Sequence, residues 1–250
     1  MKPILLIAAD SVWWMLHRRL LVAAAVVALG ITSVADLTSS ELRESIFVLG
    51  TDQGGTDLGY GIVLATFVGM AELGGTLVTL LISSTAVAVG AASGVVRPVL
   101  ARPVSRAELV VGRYFGAIVG IFCYSLVAGT AAYAFSVAGD LDFGPRAWLA
   151  PCLMACGNLM GGSLAVLLSL LTRPAMAAAV AFFASAEWFS PAKPLYFLLP
   201  SYDRFGASTV VMEARMLTFG ELSALTLYAV DVSAIFLLLS IWRFHRMELK

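Results

Sequence analysis

GVVRPVLARPVSRAELVVGRYFG, residues 94–116, is the stretch on which the reading of this chain turns. It sets four arginines (Arg97, Arg102, Arg106 and Arg113) and two prolines (Pro98 and Pro103) between two long apolar runs. One arginine at the centre of a membrane helix costs about 3 kcal/mol on insertion scales. Four together must leave the bilayer, and positive charge is retained on the cytoplasmic side. The stretch therefore reads as a short, stiff, basic cytoplasmic loop between two membrane helices. Such a loop suits docking of a cytosolic partner.

The composition agrees. Hydrophobic residues make up 60% of the 250 residues and charged residues only 13%, with a mean hydropathy of +0.92. Soluble domains carry roughly 25% charged residues. The expected class is an all-α integral membrane protein. A span takes about 20 apolar residues, so the length allows six transmembrane helices with short connections. A net charge of zero gives no sign of nucleic-acid binding. The three cysteines, Cys123, Cys152 and Cys156, lie in apolar runs without a C-x-x-C pair and imply no disulfide framework. Cys152 and Cys156 share a helix face and are expected to pack in the core.

Outward from the loop, residues 1–19 hold Lys2, Asp10, Trp13, Trp14 and the His17-Arg18-Arg19 cluster among apolar residues. That pattern predicts an N-terminal interfacial helix with tryptophans at headgroup level. The apolar run after it has no convincing small-residue cleavage site and is expected to be retained as the first span. Spans are predicted near 20–35, 60–89, 108–137, 147–171, 175–190 and 221–242, with the basic loop at 93–108. The second run exceeds one perpendicular crossing, so it tilts, protrudes or breaks, and Glu72 with Gly74-Gly75 marks the candidate break. Thr38-x-x-Glu41 and Thr218-x-x-Glu221 read as capping boxes opening helices. The proline-interrupted segment after Pro191 is too short to cross and is placed at the outer interface. Of the sixteen lysines and arginines, only Arg43, Arg146, Lys193, Arg204 and Arg215 fall on the outer side, leaving eleven inside. That bias predicts an even number of spans with both termini cytoplasmic.

Three carboxylates fall in or near predicted spans: Glu72, Glu187 and Asp231. Buried acids are costly and usually face a cavity, a partner or water. They are candidates for a polar substrate path, set against simple solvation at a span end for the two glutamates. Gly112, Gly116 and Gly120, and again Gly157 and Gly161, recur at four-residue spacing. This spacing lets helices approach closely, here expected within the chain rather than at a dimer seam. No metal-ligand or nucleophile–base constellation can be assembled. No G-x-x-x-x-G-K-[ST] sequence exists to cradle ATP phosphates.

The arginine loop resembles that of ABC-2 type exporter permeases (type V), the six-span membrane subunits of ATP-binding-cassette transporters. The matching residues are Gly94, Leu100, Arg102, Pro103, Val104, Ser105, Arg106, Glu108 and Gly112, with Arg113 at the usual lysine position. The likeness extends in layout to the interfacial helix, the proline-bearing segment after span five and the ending Phe244-x-Arg246-x-Glu248-Leu249. Many members carry an acid just before the loop; this chain reads Val89-Gly90-Ala91-Ala92-Ser93 there. The resemblance implies that 93–108 carries a coupling helix gripped by a cytosolic ATPase. The coupling residues would be Gly94, Arg97, Arg102, Pro103, Ser105, Arg106, Glu108 and Arg113. It implies two ATPase copies holding ATP and magnesium, a second permease half (identical or related), and export of an apolar or amphipathic substrate across a prokaryotic inner membrane. This chain itself would hold no cofactor and catalyse nothing. Two alternatives stand beside it. One passes force to an extracytoplasmic partner through 38–50 and 194–217. The other is a channel or scaffold that uses the loop only to anchor lipid.

Overall fold

The computed structural model describes residues 2–17, 55–92, 105–138, 146–185, 202–207 and 217–247. They form six α-helices: α1 (Lys2–His17), α2 (Gly55–Ala92), α3 (Arg106–Ala138), α4 (Arg146–Ser169), α5 (Pro174–Ser185) and α6 (Phe219–Arg246). A 3-10 turn, η1, covers Tyr202–Phe205, and no strand occurs among the described residues. Four segments are long and apolar enough to cross a membrane: Val68–Val87, Arg106–Ala131, Trp148–Ser169 and Phe219–Arg246. The chain is an all-helical, multi-pass membrane protein. The run at 20–35 lies outside the described residues. Of the predicted span at 175–190, residues up to Ser185 lie in α5 and the rest lie outside the described residues.

α2 corrects one expectation. It runs unbroken for 38 residues through Glu72, Gly74 and Gly75. The glycine serves packing instead of bending. A Cβ on Gly75 would sit 2.6 Å from the Tyr124 ring and 3.3 Å from the Asn158 amide. The phenol of Tyr124 reaches past this point to donate to the Ala71 carbonyl at 2.8 Å. Gly75 thus lets α3 and α4 close on α2 at one level.

Three apolar clusters stack along the bundle. At the loop end, Val87, Leu109, Val110, Tyr114, Val166, Leu170 and Phe244 meet. In the middle, Leu80 and Leu164 pack on Ala178 and Ala181 of α5. Toward the other end, Leu153, Cys156 and Met160 pack on Phe205 and Ala229. Cys156 is therefore a core residue, as expected, whereas Cys152 is exposed. α6 is attached along a narrow stripe, Ala229, Ser233, Ser240 and Phe244, while Leu227, Ile235, Leu238 and Trp242 are exposed. Its start bears out the predicted capping box, with Thr218 and Glu221 each bonding the other's backbone amide.

α1 lies alongside α3, and the two run in the same direction. A Cβ on Gly112 would meet the Ile7 side chain at 2.8 Å, and one on Gly116 would meet Ser11 at 2.6 Å. Two small residues one turn apart make a groove for α1. This is intrachain packing, as the glycine spacing predicts. It gives the 1–19 segment a neighbour that an interfacial helix need not have. The opposite side of α1 exposes Leu5, Leu6 and Trp13.

The segment after span five also differs in part from expectation. Phe205 and Ala207 are buried in the bundle, at 2% and 0% exposure. Phe205 stacks on Tyr228 of α6 and covers Gly157 of α4. Non-helical backbone survives among membrane helices only where protein satisfies its polar groups. At Ala207, where helical backbone begins again after η1, the amide is held by Glu72, described below.

Candidate coupling end of the bundle

α3 opens on the last residues of the basic stretch. Ser105 is its N-cap. The Ser105 amide donates to the Glu108 carboxylate at 2.7 Å, and the Glu108 amide donates to the Ser105 hydroxyl at 3.2 Å. This is a full capping box, two of the helix's free donors satisfied reciprocally. Glu108 is therefore committed to its own helix.

Arg106 turns inward. One guanidinium nitrogen, Nη1, donates to the carbonyls of Phe244 (3.1 Å), His245 (3.0 Å) and Met247 (3.0 Å). The last carbonyls of a helix have no intrahelical donors, and cations there are favoured by the helix dipole. Arg106 thus caps α6 from across the bundle. Beside it, Leu109 and Val110 pack on the fully buried Phe244. One turn further along α3, Arg113 pairs with Asp10 of α1 at 3.7 Å; the arginine side chain is 12% exposed and the acid 67%. The Arg246 guanidinium lies over the Trp242 ring at 4.3 Å.

The start of α3 therefore joins α1 and the end of α6. Arg106, Arg113, Arg173, Arg243 and Arg246 all gather at this end of the bundle, with the first turns of α1, the α4–α5 turn and the chain's last described residues. Of the expected coupling residues, Ser105, Arg106, Glu108 and Arg113 are described, and each has an intrachain partner. Gly94, Arg97, Arg102 and Pro103 lie outside the described residues. Asp10 and the α6 carbonyls were not foreseen. A lone acid in an apolar N-terminal segment was the available signal for Asp10.

The intramembrane acids separate. Glu72 is partly buried, and its carboxylate accepts the Ala207 backbone amide at 3.2 Å. It anchors the segment that dips into the bundle. Asp231 lies exposed on α6, near the middle of the helix. Glu187 lies outside the described residues. A void between α2, α3 and α4, lined by Val68, Ala128, Pro151 and Met154, measures about 10 Å³, room for a single water at most. Among the described residues no group of His, Cys, Asp and Glu could hold a metal. No protein-family model matches the chain, and no curated protein matches it.

Proposed function

We propose that the chain is the permease subunit of an ATP-driven transporter of the ABC-2 exporter kind, coupled to a separate cytosolic ATPase through its basic elbow. The observation that carries this reading is the elbow itself: a proline-stiffened arginine stretch between membrane helices, entering a capped helix whose first turns grip two other helices. A loop that only anchored lipid would need the charges but not that linkage. In this reading ATP and magnesium bind the ATPase, two copies of which serve two permease halves in a prokaryotic inner membrane. Six spans, with both termini cytoplasmic, complete each half. The exposed carboxylate of Asp231 supports the second half: a charge facing lipid at mid-helix costs about 3 kcal/mol, and a neighbouring subunit or a shared polar path removes that cost. The spans are rich in Ala, Val, Leu and Phe, which suits an apolar or amphipathic cargo and suits lipid equally well.

Because Arg106, Glu108 and Arg113 are used within the chain, the residues left to face the motor are Arg97 and Arg102. Purification of the full chain from its native membrane should bring an ABC ATPase with it. The double change Arg97→Ala and Arg102→Ala should abolish that association while leaving membrane insertion intact. Recovery of the chain without any ATPase, or undiminished association in the double variant, overturns the reading.

A further inference from the structure

We infer that Arg106 is a positioning residue that makes the end of α6 move with the elbow; the inference rests on the transport reading above. The geometry is unusual for a cap. α6 already ends in Arg243 and Arg246, cations of its own that could serve its last carbonyls. The donor comes instead from a residue 138 positions away in sequence. The two N–H groups of one nitrogen are shared among three carbonyls, those of Phe244, His245 and Met247, spanning the last helical turn and the residue beyond it.

Packing reinforces the tie. Arg106 is the first residue of α3, adjacent to the Ser105 cap. Leu109 and Val110, in the same turn, pack against Phe244, whose carbonyl Arg106 also holds. Polar and apolar contacts therefore join the same two turns. Elsewhere α6 packs on the bundle through partly buried Leu225, Tyr228, Phe236 and Ile241 around buried Ala229, Ser233 and Ser240. Displacement of the elbow at Ser105 must then carry the end of α6 or break three hydrogen bonds. α1 follows α3 by a different tie, the close packing of Ile7 and Ser11 on Gly112 and Gly116 beside the Arg113–Asp10 pair. Arg106 adds the end of α6 to that moving unit.

Hydrogen exchange on the full chain in lipid nanodiscs, bound to the ATPase that co-purifies with it, tests this. Peptides ending in 240–250 are compared without nucleotide and with ATP trapped by vanadate. In the unaltered protein, trapping should change exchange at residues 243–247. In Arg106→Gln, exchange there should rise by roughly threefold or more in both states, because the helix end frays, and the nucleotide-dependent difference should vanish. Arg106→Lys, which keeps a charge and donors without the planar fork, should restore part of that difference and serves if the glutamine variant assembles poorly. A purely local structural role predicts faster exchange with the difference intact; that result overturns the inference. So does unchanged exchange at 243–247 in the glutamine variant. If trapping has no effect on the unaltered assembly, the transport reading fails and the linkage loses its role, although the rise in basal exchange would still report the cap.

Discussion

Single residues carry more of this fold than their number suggests. Ser105 and Glu108 close α3 with the same device that Thr218 and Glu221 use for α6. Ser105→Ala should cost about 1 kcal/mol, read as a lower unfolding midpoint in detergent. Glu72 matters in a different way. Its carboxylate holds the Ala207 amide at 3.2 Å inside the bundle, and an amide left unpaired there is costly. Glu72→Ala should destabilise the protein by about 2 kcal/mol and raise proteolysis or exchange at 202–207 first; unaltered protection of that segment would contradict the anchoring role. Neither Glu72's partner nor Arg106's could be read from the sequence. Their acceptors and donors lie 135 and 138 positions away, and nothing local to either residue names them. The Thr218 box was legible because both its halves sit within four residues.

Whole helices were readable where hydrophobicity and charge act locally. The starts of α3 and α6 fall within two residues of expectation, since arginines and a capping box mark them. The continuity of α2 was not legible. Two adjacent glycines resemble a hinge until Tyr124 and Asn158 are seen filling the space above one of them. The contact between α1 and α3 rests on the same principle. Gly116→Leu should force the helices apart, because even a Cβ would lie 2.6 Å from Ser11. Overpacking of this kind costs about 1–3 kcal/mol. The checkable result is increased protease access to residues 1–19 with α2–α4 still protected.

At the scale of the molecule, the bundle is polarised. One end gathers Arg106, Arg113, Arg173, Arg243 and Arg246, and the stacked apolar clusters run away from it. In the proposed reading that end faces the cytoplasm, the side on which positive charge is retained. With Cys123, Cys152 and Cys156 replaced, Ala101→Cys should react with an impermeant maleimide in inside-out vesicles and be silent in right-side-out ones. The opposite pattern would invert the whole assignment. One further consequence follows from the grip of Arg106 on Met247 and the packing of Ile4 beside Gly112. The first turns of α1 and the described end of α6 therefore both lie against the first turns of α3, next to the face proposed for the motor. A fluorescent fusion or affinity handle at either end would crowd that face, so an inserted epitope in the loop at 139–145 is the safer label for studying the intact assembly.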